Sequence, residues 1–165
     1  MEKPPGSELN VLHECVPYLR ERFARSKVLE LSENDLMGIA LRVNAIRDHA
    51  RRVSNVELGL ADGQHTIEGK AKALGRFLWR KRSSDGGSVL TVIHWVLYGG
   101  PRDDIPSRIW EAVTDPNRRI EHFNVGALGE IVGWALPDDF PPRNGRTSKA
   151  LRSLGHDVKV QLSTG

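Results

Sequence analysis

Apolar positions recur at helical spacing through most of the chain, and strict alternation is confined to one short tail. Leu9, Leu12, Val16 and Leu19 predict a first helix interrupted or kinked at Pro17, behind a polar leader, residues 1–8, that reads as flexible. Residues 27–31 form a short extended candidate. Ser32 then reads as an N-cap with Asp35 three positions on, where a capping box prefers Glu or Gln. The helix it opens carries Leu36, Ala40, Val43, Ile46, Ala50 and Val53 on one face, with Arg42, Arg47, Arg51 and Arg52 mostly off it. Residues 55–64 contain two glycines and an Ala-Asp-Gly turn, and predict a loop. Thr66 caps a helix lined by Ile67, Ala71, Leu74 and Leu78, and Ser83-Ser84-Asp85-Gly86-Gly87 breaks the chain again. Residues 88–98 are nearly all apolar. A buried strand and a central helix both fit such a run; the lack of alternating partner strands nearby favours a helix buried on most sides, ended by Gly99-Gly100-Pro101.

Ser107 reads as the cap of a short helix bearing Ile109, Trp110 and Val113. Asp115-Pro116 is a second start, with Asp as cap and Pro at the first helical position, for a brief helix ending around Phe123. A longer helix follows from about Gly126 to Leu136, closed by Pro137, and a last one near residues 147–154 ends at Gly155. Residues 157–162 alternate and read as a strand, for which residues 27–31 are the one partner in view. The pattern predicts a mainly α fold: a single-domain helical bundle over residues 9–165 with at most a short two-stranded β element.

Composition narrows the possibilities. A chain of 165 residues, 39% of them hydrophobic, suits one domain with one core. No apolar stretch reaches the ~18 residues of a membrane helix, and Met1-Glu2-Lys3-Pro4-Pro5-Gly6 lacks the apolar run of a signal peptide, so no membrane association and a cytoplasmic location are expected. Cys15 is the sole cysteine, which excludes an internal disulfide and any site built on several thiolates. None of the six histidines is spaced as HExxH or HxxxH, so they read as surface or packed residues, His94 as a hydrogen-bonded core histidine. No metal and no cofactor are expected. GxSxG, Walker and GxGxxG motifs are absent, and the doublets Asp103-Asp104 and Asp138-Asp139 read as turn and cap residues before they read as catalytic pairs.

Charge changes the picture more. The net charge of +3 conceals two stretches without a single acid. Residues 69–84 hold Lys70, Lys72, Arg76, Arg80, Lys81 and Arg82; residues 140–155 hold Arg143, Arg146, Lys149 and Arg152. Two solvated helix faces would account for this, and so would a footprint for a phosphate backbone.

The C-terminal third favours the second reading. Ile120-Glu121-His122-Phe123-Asn124-Val125-Gly126 is expected to end the short helix and enter the longer one through a tight turn. That turn resembles the Gly-hydrophobic-Gly hairpin of helix-hairpin-helix DNA-binding proteins, with Asn124 in place of the first glycine, a residue that enters the left-handed region readily. The likeness continues through Ile131-Val132, Ala135, Phe140-Pro141-Pro142-Arg143-Asn144-Gly145-Arg146, Ala150-Leu151 and Leu154-Gly155. Over about 35 residues this order is similar to the C-terminal half of the HhH-GPD DNA glycosylases, in which a hairpin helix leads to a Pro-containing loop, a catalytic Asp and a helix ending in Leu-Gly. The departures fall on the chemistry. Asn144 stands where the resemblance would put the catalytic aspartate, Leu128 where bifunctional members carry a Schiff-base lysine, and Glu130 where it would disturb approach to a phosphate. A shifted correspondence would offer Asp138 or Asp139 as the acid.

The resemblance thus implies a glycosylase-like fold without the chemistry: a non-catalytic protein binding nucleic acid, duplex DNA first, with no catalytic residue. Asn124, Val125, Gly126 and Ala127 would present backbone donors to a phosphate. Arg143, Asn144, Arg146, Lys149 and Arg152 would line neighbouring phosphates, so that hairpin and basic helix occupy about residues 115–155. Lys70, Lys72, Arg76, Arg80, Lys81 and Arg82 form a second basic patch. The alternatives are a helical adaptor for an acidic protein partner and a divergent DNA glycosylase.

Overall fold

The structure, a computed structural model, describes residues 8–140. Among these, seven α-helices follow one another: α1 (Glu8–Arg22), α2 (Glu33–Arg42), α3 (Asn44–Ala50), α4 (Ile67–Arg80), α5 (Val89–Tyr98), α6 (Ile105–Thr114) and α7 (Val125–Ala135), with 3-10 turns at Val28–Glu30 and Arg102–Asp104. The fold is mainly α. No helix among the described residues is long and apolar enough to cross a membrane.

Side-chain caps fix the helix starts. Ser32 accepts from Asp35 N while the Asp35 side chain accepts from Ser32 N, a complete capping box closed by aspartate. Thr66 accepts from Gly69 N, Ser88 from Thr91 N and Asn124 from Ala127 N. The core joins Leu19 and Phe23 of the α1 end to Leu36, Ile39, Ile46, Leu74, Leu78, Ile93, Ile105, Leu128 and Ile131. As the apolar run requires, α5 is central: Val89, Leu90, Val92, Ile93, Val96 and Leu97 are all buried. The α2–α4 contact is close because Gly75 has no side chain; a Cβ there would lie 2.9 Å from Met37 Cα and 3.1 Å from the Leu36 carbonyl oxygen. Arg108, buried on α6, donates to the carbonyls of Val96 and Pro101 at 3.0 and 2.9 Å, tying α6 to the end of α5.

Four local expectations need correction. The stripe from Leu36 to Val53 is not one helix. Val43 is extended (φ −78°, ψ 108°) and serves as C-cap of α2 and N-cap of α3. Since Val43 N still donates to Ile39 O at 2.8 Å and Arg47 N to Val43 O at 3.0 Å, the break costs few hydrogen bonds, and it lets α3 pack on α4 and α7. Residues 27–31 contain a 3-10 turn rather than a strand: Lys27 N and Val28 N both return to Ala24 O as the chain leaves α1, and Val28 enters the core. No strand occurs among the described residues, and residues 157–162 lie outside them.

Ser107 is not a cap but lies inside α6, which starts earlier because Pro106 occupies its first turn, where no amide is needed. Residues 116–123 form successive turns instead of a helix. Arg118 N and Arg119 N bond to Asp115 O and Phe123 N to Ile120 O. With only Ile120 and Phe123 to bury, and with His122 left-handed at φ 64°, the segment never completes a second helical turn. The last expected helix, near 147–154, lies outside the described residues.

Candidate functional site

The predicted phosphate donors gather at the start of α7. Asn124, expected in the left-handed region, is instead extended (φ −97°, ψ 177°) and caps α7: its Oδ1 accepts from Ala127 N at 3.0 Å, which commits one of the first-turn amides to the cap. The amides of Val125 and Gly126 have no intrahelical acceptor, by helix geometry. Asn124 and Val125 are exposed, Ala127 and Leu128 buried. Glu130 is 0% exposed. It therefore faces the interior, and the disturbance of a phosphate expected from it does not arise at the surface. Arg143, Asn144, Arg146, Lys149 and Arg152 lie outside the described residues.

The second patch divides. Helical spacing puts Lys72, Arg76 and Arg80 in one row on α4, opposite the buried Ala71, Leu74 and Leu78. No acidic partner of Lys72 or Arg76 occurs among the described residues. Arg80 approaches Glu33 only at 3.8 Å and its side chain is 75% exposed. Lys70 and Arg82 turn to carbonyls, Lys70 Nζ to Val53 O at 2.8 Å and Arg82 Nη1 to Trp79 O at 2.9 Å. Lys81 Nζ pairs with Glu121 Oε2 at 2.7 Å. The six cations thus reduce to an outward row with weak or no pairing, plus three others already engaged.

The two predicted regions are neighbours. The Lys81–Glu121 ion pair and an edge contact of the Phe77 and His122 rings, 5.4 Å between centroids, lay the end of α4 beside the segment leading into α7. Trp95 and Trp134 are half-buried; the Arg118 guanidinium covers the Trp95 ring at 4.0 Å. Asp139 pairs with Arg102, while Asp103, Asp104 and Asp138 are exposed. His94 is half-buried, its ring 5.6 Å from that of Tyr98.

A cluster that sequence spacing does not reveal lies where the end of α4 meets the segment leading into α7. His122 Nδ1 is 2.9 Å from His49 Nε2 on α3, and His122 Nε2 is 3.3 Å from Glu57 Oε1 and 3.9 Å from Glu121 Oε1. Burial, then the neighbouring His122 and Arg52, push the His49 pKa below its ordinary value, so His49 is neutral at pH 7. Hydrogen bonds from Ser54 to Glu57, and from Lys81 to Glu121, hold both carboxyls below the usual range and ionised. His49 and Glu57 are 73 and 65 positions from His122, and no local motif signals their meeting. The left-handed backbone of His122 is the one non-glycine case among the described residues.

No protein-family model matches the chain, and neither curated proteins nor solved structures show a significant similarity to it.

Proposed function

We propose that this protein is a non-catalytic nucleic-acid-binding module that grips the phosphate backbone, duplex DNA in the first instance. The observation that carries the reading is the row Lys72, Arg76 and Arg80 on α4, with no acid paired to its first two members among the described residues. Unpaired cations in a row release counterions when they meet a polyanion, whereas cations already bridged to carboxylates gain little. The resemblance to the glycosylase hairpin supports it at one place, the exposed start of α7, where the Val125 and Gly126 amides and the positive helix end suit a phosphate oxygen. The basic residues 143, 146, 149 and 152 extend the same reading.

Replacing both Lys72 and Arg76 by Glu tests it. Fluorescence anisotropy with duplexes of unrelated sequence should show binding weakened at least ~10-fold and by the same factor for each, since phosphate contacts carry no base information. An unchanged affinity would remove α4 from the interface. An acidic protein partner would use the same cations, and the absence of any duplex binding in the parent protein would turn the reading to that adaptor role.

A further inference from the structure

Glu57, Glu121 and His122 come from a loop and from the turns ahead of α7, yet one ligating atom of each lies within 4.8 Å of the other two, the one such group among the described residues. Each carboxylate is anchored by one oxygen and presents the other. Glu57 Oε2 accepts from the Ser54 hydroxyl at 2.8 Å and its amide at 3.3 Å, leaving Oε1 toward His122. Glu121 Oε2 accepts from Lys81 Nζ at 2.7 Å, leaving Oε1 toward the same Nε2. The His122 ring is fixed behind by His49 and at its side by Phe77.

We propose that Glu57, Glu121 and His122 form a binding site for one zinc-type divalent cation, with His49 as the positioning residue behind it. Ligands about 2.0–2.2 Å from a tetrahedral zinc lie roughly 3.3–3.5 Å from each other. The His122–Glu57 separation of 3.3 Å already has this value, and the half-exposed Glu121, at 3.9 Å from His122, closes by a small side-chain motion. Two carboxylates beside one lysine leave a net charge of −1, which attracts a cation. Coordination through Nε2 requires the His122 proton on Nδ1, and His49 Nε2 at 2.9 Å is its acceptor, the hydrogen bond that fixes the ligating tautomer. The imidazole nitrogen selects a transition-type ion over magnesium or calcium, which favour all-oxygen sets. Three protein ligands leave a fourth position for water.

The test uses the full chain, freed of metal and titrated with Zn2+ alone in competition with a chromophoric chelator, alongside Co2+ absorption as a report of coordination geometry. The expected result is one Zn2+ per chain and a tetrahedral Co2+ spectrum. Glu57→Gln, Glu121→Gln and His122→Asn, the last keeping a residue that tolerates the left-handed backbone, should each weaken binding at least ~10-fold with helical circular dichroism unchanged. His49→Gln should weaken it about 10- to 100-fold and shift the Co2+ bands while the stoichiometry stays at one. No binding by the parent protein at about 100 µM Zn2+ would overturn the proposal. Binding that survives both Glu57→Gln and Glu121→Gln would also overturn it, because the ion would then sit on other histidines or on Cys15.

Discussion

Lys81 Nζ lies 2.7 Å from Glu121 Oε2, so the most basic helix among the described residues is pinned to the segment that feeds α7. The pair joins the two regions proposed to meet phosphate, and it also withdraws one cation from them. Glu121→Gln should release Lys81 and remove a negative charge beside the row, tightening duplex binding about 2- to 5-fold at low salt. Both side chains are 40–50% exposed, so the loss of the pair should cost at most about 1 kcal/mol of stability. Parallel binding and urea-unfolding curves check both outcomes.

Gly75 sets the spacing of α2 and α4. Alanine there gains about 1 kcal/mol of helix propensity but drives its methyl into Met37 Cα at 2.9 Å, backbone that cannot swing aside. Overpacking of about 1–3 kcal/mol outweighs the gain, and Gly75→Ala should lower the urea midpoint. A raised midpoint would mean that α2 slides away freely.

Arg108 is a structural cation. Its guanidinium serves the Val96 and Pro101 carbonyls from a buried position, at 3.0 and 2.9 Å. Arg108→Ala should cost about 2–4 kcal/mol, and Arg108→Lys should recover only part, since an ammonium cannot span both acceptors in the fixed fork. Chemical denaturation of the three proteins decides the order; full recovery by lysine would contradict the fork argument.

Asp35 makes stability pH-dependent. The Ser32 amide, then the Ser32 hydroxyl and Arg22, outweigh partial desolvation and hold its pKa below 3.8. A carboxyl whose folded pKa is depressed stabilises fully above its unfolded pKa, and this contribution fades as pH falls through the folded value. Asp35→Asn should therefore destabilise at pH 7 and make little difference near pH 2. Ser32→Ala should remove about 1 kcal/mol at neutral pH through the lost cap. Equal destabilisation by Asp35→Asn at both pH values would refute the linkage.

Patterns that depend on one helix at a time were readable in the sequence. The caps Ser32 and Thr66, the stripe of α4 and the central burial of α5 all follow from local spacing. The break at Val43 was not, because Val43 keeps its place on the apolar face and only the demands of α3 packing turn the chain there. The turns at 116–123 were masked by an Asp-Pro start signal that a single turn satisfies. The burial of Arg108 has no local signal, because its carbonyl partners belong to another helix end. The His49–His122–Glu57 cluster had no local signature at all: it exists only where α3, the 54–57 turn and the approach to α7 converge.

The most direct measurement is the salt dependence of duplex binding. If six to eight phosphates are engaged, the plot of log affinity against log salt between about 50 and 200 mM should have a slope on the order of −5 to −7. Neutralising Lys72→Gln and Arg76→Gln together should reduce that slope by about 2, the share of two phosphate contacts, on any duplex sequence. A slope near zero, or one that the double substitution leaves unchanged, would contradict the account that α4 holds a nucleic-acid backbone.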